Sequence, residues 1–188
     1  MNKTLVLTSA LVLSGLSASA VAADNSWFVR GEVGRSHAKA GLSGFGNSSD
    51  NDTAYSVRSG YWFTPNVAIE GFYSRLYDKN FTYNSPSDGN FKLSAIGVGV
   101  VGKKNFGPDN TGFFVDGRAG VSRSKASASL AGFGSDSQTS TKPYYGVGAG
   151  YDFSHSFGLS LNYDHLRGDG NGISLTTNTL AVGGEVRF

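Results

Sequence analysis

The chain has 188 residues, is rich in glycine (27) and in aromatics (13 Phe, 9 Tyr, 2 Trp), and contains no cysteine. Its 16 basic and 14 acidic residues nearly cancel, which argues against nucleic acid as the main partner. A single domain of this length can be stable without disulfides, so the missing cysteines fix no compartment.

The first element is a leader. Lys3 supplies a short positive region, Leu5 to Leu13 an apolar stretch, and Ala18-Ser19-Ala20-Val21-Ala22-Ala23 the small residues of a cleavage site. Residues 1–23 read as a secretory signal peptide, too short to span a membrane, with the cut after Ala22 or Ala23. No later run of about 20 apolar residues exists, so no membrane-crossing helix is expected.

Residues 24–188 read as one all-β domain, since glycine weakens helices while aromatics suit strands and membrane interfaces. Turn clusters divide it into eight alternating segments, at about 27–36, 53–63, 67–77, 91–102, 112–124, 141–152, 157–166 and 177–188. Each is near the ~9–11 residues that a tilted membrane strand needs. The connectors Thr64-Pro65-Asn66, Lys103 to Asn110 and Phe153-Ser154-His155-Ser156 are short; the four between them are longer and rich in Ser, Gly, Asn and Asp. Strict alternation of short and long connectors predicts an antiparallel up-and-down barrel with turns at one end and loops at the other. The last segment shows the period of two most clearly. Leu180, Val182, Gly184, Val186 and Phe188 form one face, and Ala181, Gly183, Glu185 and Arg187 the other. Such a strand has different surroundings on its two sides.

The sequence also repeats itself. Residues 33–46 align without a gap on 121–134, Gly60-Tyr61-Trp62-Phe63 matches Gly150-Tyr151-Asp152-Phe153, and Tyr73-Ser74-Arg75-Leu76 matches Tyr163-Asp164-His165-Leu166. Strands one to four thus look like strands five to eight.

The segment Gly60 to Tyr73, the run Gly146 to Phe153 and the ending Arg187-Phe188 resemble the strand–turn–strand units of OmpA/OmpX-like small outer-membrane barrels. The resemblance covers the whole mature chain. It implies an eight-stranded transmembrane β-barrel in the bacterial outer membrane, with both termini in the periplasm and no periplasmic domain after Phe188. It also implies that Phe188, a C-terminal aromatic, is what the barrel-assembly machinery recognises. A soluble lipocalin-like barrel is the rival fold, but it would put apolar residues inside and charge outside.

Strand phase then separates two faces. Trp27, Tyr55, Tyr61, Tyr73, Val98, Phe113, Tyr145, Leu161, Tyr163 and Phe188 are typical of the outward, lipid-facing set. In the fourth strand Ile96, Val98 and Val100 are placed outward by the repeat, against a rival phase of Leu93, Ala95 and Val101. The inward set collects Arg30, Glu32, Arg58, Glu70, Asp116, Arg118, Asp164, Glu185 and Arg187. Charges away from bulk water must pair, so a near-balanced ion-pair network is expected to fill the lumen; a small gated pore is the alternative. Inward glycines at 97, 99, 146, 148 and 150 are expected to leave room for the long Arg and Glu side chains.

A third set, Arg35, Arg75, Lys92, Arg123 and His165, has the outward phase at the loop end of its strands. Lipopolysaccharide phosphates would be its neighbours there, and a basic rim gripping them is one reading; ordinary solvated charge is the other. Phe45 and Phe133 sit at matching tips of the first and third loops, where apolar groups can mark a binding surface for a host or cell-surface ligand; packing on one another or dipping into the lipid layer is the other reading.

Other chemistry is weak. His155-Ser156 is in a turn at the wrong end for lipid hydrolysis, and His165 has Asp164 and Asp169 nearby but no serine placed beside it by strand pairing; no His/Cys metal spacing appears, and Gly168 to Gly172 reads as a hairpin loop. The expectation is therefore a monomeric structural and surface-interaction barrel, not an enzyme, without cofactor or metal. A narrow channel is the alternative, and a lipid A-modifying enzyme a more distant one.

Overall fold

The computed structural model describes residues 25–42, 46–83, 87–130, 134–170 and 173–188, with side chains described for 25–39, 51–77, 92–127, 138–168 and 176–188. The leader at 1–23 and the loop-tip residues Phe45 and Phe133 lie outside the described residues.

Eight strands follow one another in chain order: β1 (Ser26–Leu42), β2 (Gly46–Thr64), β3 (Val67–Tyr83), β4 (Ser87–Asn105), β5 (Gly112–Leu130), β6 (Gly134–Asp152), β7 (Phe157–Gly170) and β8 (Ile173–Arg187). Each pairs antiparallel with its neighbours, and β8 pairs with β1 to close the barrel. Phe188 completes the closure: its amide donates to Trp27 O at 3.0 Å and its carbonyl accepts from Trp27 N at 2.9 Å. Among the described residues, no helix is long and apolar enough to cross a membrane.

The strands are longer than the periodicity indicates, mostly at the long-connector end, while β4 also runs on to Asn105 at the short-connector end. The ladders continue to Leu42↔Gly46, Tyr83↔Ser87, Leu130↔Gly134 and Gly170↔Ile173. Stretches read as loops are therefore extensions of the hairpins. Where a ribbon leaves both the lipid and the packed lumen, its two faces meet the same solvent and alternation disappears. Backbone pairing persists because each N–H and C=O still needs a partner.

Two ladders stop early. β2–β3 ends at Tyr55↔Arg75 and β6–β7 at Tyr144↔Leu166. By ladder, the outer part of the wall is thus two four-stranded sheets, β7–β8–β1–β2 and β3–β4–β5–β6. The internal repeat is visible at these two places: Tyr55↔Arg75 recurs as Tyr145↔His165, and Trp62↔Ala68 recurs as Asp152↔Gly158. At Leu76 a register shift in β3 turns both Leu76 and Tyr77 to the interior.

The apolar set faces out, with Trp27, Val57, Ile96, Val98, Phe113, Val147 and Leu161 all exposed, while Leu93, Ala95 and Val101 are buried. The fourth strand therefore follows the phase of Ile96, Val98 and Val100. The interior is layered. Phe72, Leu76, Tyr77, Leu93, Ala95, Tyr144 and Leu166 form one apolar cluster toward the outer end. Phe28, Trp62, Ala68 and Val101 form a smaller one toward the short turns. Charged side chains fill the lumen with them.

Candidate functional site in the lumen and on the outer belt

Alternation alone carries Arg30, Glu32, Arg58, Glu70, Asp116, Arg118, Asp164, Glu185 and Arg187 into the interior, where all nine are buried. Arg58 on β2 is the hub. Its Nε donates to Glu32 Oε2 at 2.9 Å, Nη1 to Glu70 Oε1 at 3.0 Å and Nη2 to Asp164 Oδ2 at 2.5 Å. One planar guanidinium thus ties β2 to β1, β3 and β7, using the fork geometry that a lysine lacks. Arg118 on β5 reaches Glu32 Oε1 at 3.2 Å and Asn162 Oδ1 at 2.5 Å, and the Tyr144 hydroxyl donates to Glu70 at 2.8 Å.

Nearer the short turns, Arg30 donates to Glu185 Oε2 from Nε at 2.9 Å and from Nη2 at 2.6 Å. Arg187 donates to Glu185 at 2.5 Å and to Asp152 Oδ1 at 2.9 Å. Lys103 and Asn105 both donate to Asp152 Oδ2, at 2.5 and 2.7 Å. Arg30 Nη1, 3.7 Å from Asp116 Oδ2, bridges this group to the central one.

Several participants fall outside the sequence reading. Lys103, assigned there to a connector, is in β4 and buried, because β4 continues two residues beyond Val101 in the same phase before ending at Asn105. Asp152, Asn162 and Tyr144 likewise share the inward phase of Gly150, Asp164 and Gly146, but Asp152 stands at a strand end and the other two are uncharged, so none stood out among the charged residues. The inward glycines also differ in part from expectation. A Cβ on Gly97 would lie 2.5 Å from the Phe72 ring and one on Gly150 2.6 Å from Phe114, while Gly99 faces the Tyr144 hydroxyl. Those three admit aromatic rings. Gly146 and Gly148 instead seat Asp164, Asn162 and Asp116, with the Arg118 stem 3.1 Å from a Cβ at Gly146.

Outside, aromatics form two girdles. At the short-turn end Trp27–Tyr61, Tyr61–Phe63, Phe113–Tyr151 and Tyr151–Phe153 make ring contacts at 4.9–5.2 Å. Tyr55, Tyr73, Tyr145 and Tyr163 mark the other border, all exposed. From Tyr55 to Phe63 along a tilted strand is about 20 Å, close to the ~25 Å apolar band of outer-membrane barrels. Beyond the tyrosines come Arg35, Arg75, Lys92 and Arg123, each exposed, and His165, half-buried. His165 stacks on Tyr145 at 4.8 Å, bonds Asn178 Oδ1 through Nδ1 at 2.6 Å and accepts from Arg167 Nε at 3.2 Å. The longer strands add Lys39, Lys125 and Arg167 to the same outward belt. Among the residues whose side chains are described, no carboxylate shares the outward face with these cations: the acids lie in the inward phase, except Asp109 in a short turn. No group of three or more His, Cys, Asp and Glu among the described residues is arranged to hold a metal ion.

Solved structures share this architecture. Neisserial surface protein A is 23% identical with a TM-score of 0.67, covering 86% of this chain and 97% of that one. Ail of Yersinia pestis, solved with the heparin analogue sucrose octasulfate, is 20% identical with a TM-score of 0.60, covering 88% and 99%. The N-terminal barrel domain of Pseudomonas aeruginosa OprF is 16% identical with a TM-score of 0.52, covering 85% and 97%. No curated protein matches by sequence. The model of the outer membrane protein beta-barrel domain matches residues 8–188. A closed barrel with a lipid-facing apolar band between aromatic girdles, in a chain matched over this length, is a protein of the bacterial outer membrane: it belongs to the outer membrane protein beta-barrel domain family.

Proposed function

We propose that the barrel is a monomeric anchoring and surface-interaction protein that grips lipopolysaccharide and presents its hairpins outside the cell. The segregation of charge supports this reading most directly. Among the residues whose side chains are described, the carboxylates have the inward phase or lie in a short turn, and the charges of outward phase beyond the tyrosines are cations. Arginine on the lipid face costs roughly 2–4 kcal/mol at the midplane and little at the interface, so cations just beyond the tyrosines sit where phosphate-bearing head groups begin. The guanidinium fork suits phosphate and sulfate alike. That Ail has been solved with a polysulfated sugar supports extending the same chemistry to anionic host glycans. Replacing Arg35, Arg75 and Arg123 together with Ala is expected to at least halve co-purifying lipopolysaccharide, measured by its phosphate content. Unchanged lipopolysaccharide would sink the reading.

A narrow channel is the second reading, and the layered interior speaks against it. Two apolar clusters and a cross-braced ion-pair network occupy the lumen. The reconstituted barrel is expected to show no sustained conductance in planar bilayers, and large stable openings would favour the channel. Against lipid hydrolysis, His37 and His165 are held by Asn51 and Asn178, at 2.7 and 2.6 Å.

A further inference from the structure

The outer belt differs between the two halves of the wall. On β3–β4–β5 the ladders set Arg75, Ser94 and Lys125 in one row, and on β7–β8–β1 they set His165, Asn178 and His37 in one row. The internal repeat makes these rows equivalent, since it aligns Arg75 with His165 and Lys125 with His37. Each rim histidine thus stands where the other half has a cation of fixed charge. Arginine and lysine ordinarily keep their charge from about pH 5 to about pH 8, and histidine changes its charge there.

A second observation comes from the hydrogen bonds. A carboxamide oxygen can only accept, so Nδ1–H donates from His37 to Asn51 Oδ1 at 2.7 Å and from His165 to Asn178 Oδ1 at 2.6 Å. Both rings are thereby held in the tautomer that leaves Nε2 to take up the proton. In the neutral His165 ring, Nε2 accepts from Arg167 Nε at 3.2 Å. A proton on Nε2 turns that acceptor into a donor. Arg167 then loses its partner, and two cations stand side by side with their N–H groups open to one anion.

The surroundings add positive charge. Arg35 and Lys39 flank His37 on β1, and Lys39 shares the next row with Thr176 and Arg167. The titratable groups beside His165 are Tyr163 and Arg167 on its own strand and Tyr145 on β6, and β8 brings only uncharged side chains among those described. Asp52 on β2 and Asp164 on β7 have the inward phase, while Asp50 and Asp169 lie outside the residues whose side chains are described. Across β8, β1 and β7 are about 10 Å apart, a distance that a phosphorylated disaccharide spans.

We infer that the β7–β8–β1 face is a proton-linked anion site: on acidification His37 and His165 join Lys39 and Arg167 in holding the phosphate-bearing head group of outer-leaflet lipid. The equivalent face on β3–β4–β5 holds its anion without that dependence. This rests on the lipopolysaccharide reading above and adds its regulation. The level favours lipid as the occupant, because the histidine row is one position beyond the row of Arg35, Leu180 and Tyr163 at the border of the apolar band.

Sucrose octasulfate is the probe, because sulfate esters keep their charge over this range whereas a phosphate monoester gains a proton near about pH 6. Calorimetric titration of the folded barrel in uncharged micelles is expected to give roughly tenfold tighter binding at about pH 5 than at about pH 8, the size for two unit charges about 5 Å from an anion in water-like surroundings. His37→Gln combined with His165→Gln should bring the two affinities together. Imidazole ¹H–¹⁵N spectra of the parent chain decide the matter even where the double variant does not fold. Saturating octasulfate should make His37 and His165 each titrate about half a pH unit higher, because linkage is reciprocal, and leave the third histidine, His155 in a short turn at the other end, unmoved. Equal affinity at the two pH values, or a pH response that survives the double variant, overturns the proton link and leaves the lipopolysaccharide reading standing. No octasulfate binding at either pH overturns the site, and the lipopolysaccharide reading falls with it only where the triple arginine replacement also leaves lipopolysaccharide unchanged. Lipopolysaccharide added to the micelles should displace the octasulfate; octasulfate that stays bound overturns lipid as the occupant and leaves a soluble sulfated glycan.

Discussion

Arg58→Met is expected to destabilise the folded barrel by about 3–5 kcal/mol, the cost of breaking a buried ion pair by removing one partner. The size follows from what is left behind. Arg58 is 2% exposed and serves three carboxylates on three strands. Without it Glu32 keeps Arg118 at 3.2 Å, but Glu70 keeps only the Tyr144 hydroxyl, and Asp164 keeps Arg118 Nε at 3.7 Å. Denaturant unfolding in detergent, with heat-modifiable migration as the folded-state marker, measures the loss. Arg35→Met on the exposed belt is the matched comparison, expected within about 1 kcal/mol of the parent. Adding Glu70→Gln to Arg58→Met should restore part of the stability, because it removes the carboxylate left without a cation. Equal effects of Arg58→Met and Arg35→Met would show that the lumen network contributes no more than surface charge.

Gly34→Ala is expected to loosen the closing seam, at a cost of about 3 kcal/mol, the upper end for overpacking. A Cβ there would run into the Leu180 carbonyl oxygen and come within 2.5 Å of Ala181 Cα, both backbone atoms of β8. Backbone in a ladder cannot rotate away as a side-chain tip can. Three residues earlier on the same strand, Gly31 has nothing within 4 Å of a Cβ. Gly31→Ala should therefore leave stability unchanged or raise it by about 0.4–1 kcal/mol through the unfolded chain. The opposite signs on one strand separate close packing from any general need for glycine. Refolding yield into lipid vesicles and unfolding midpoints would show both; a neutral Gly34→Ala would mean that the seam relaxes.

How much of this was legible in the sequence depended on whether two surroundings differed. Between lipid and lumen, alternation wrote the phase of every strand, so Val186 and Glu185 announced their opposite faces. Above the membrane both faces are polar, and the pattern fell silent although the ladder continued. Lys39, Lys125 and Arg167 were missed for that reason. Lys103 was missed at the other end, where a lysine beside a proline-bearing turn reads as solvent-exposed unless the strand is carried two residues further. The partners within the lumen were not legible at all. Whether Arg58 meets Glu70 or Asp164 depends on cross-lumen distances that no strand reports alone. The aromatic use of Gly97 and Gly150 was hidden similarly, since a glycine specifies space without saying what enters it.

The early end of two ladders has a consequence for how the exposed surface can vary. Above Tyr55↔Arg75 and Tyr144↔Leu166 the wall becomes two separately laddered halves, each built from two hairpins. A lengthened or rewritten β1–β2 hairpin perturbs the register of β7–β8 beside it but has no ladder through which to disturb β3–β4. Sequence change can proceed in one half while the other keeps its shape, and both stand on a lumen whose bracing lies below the division.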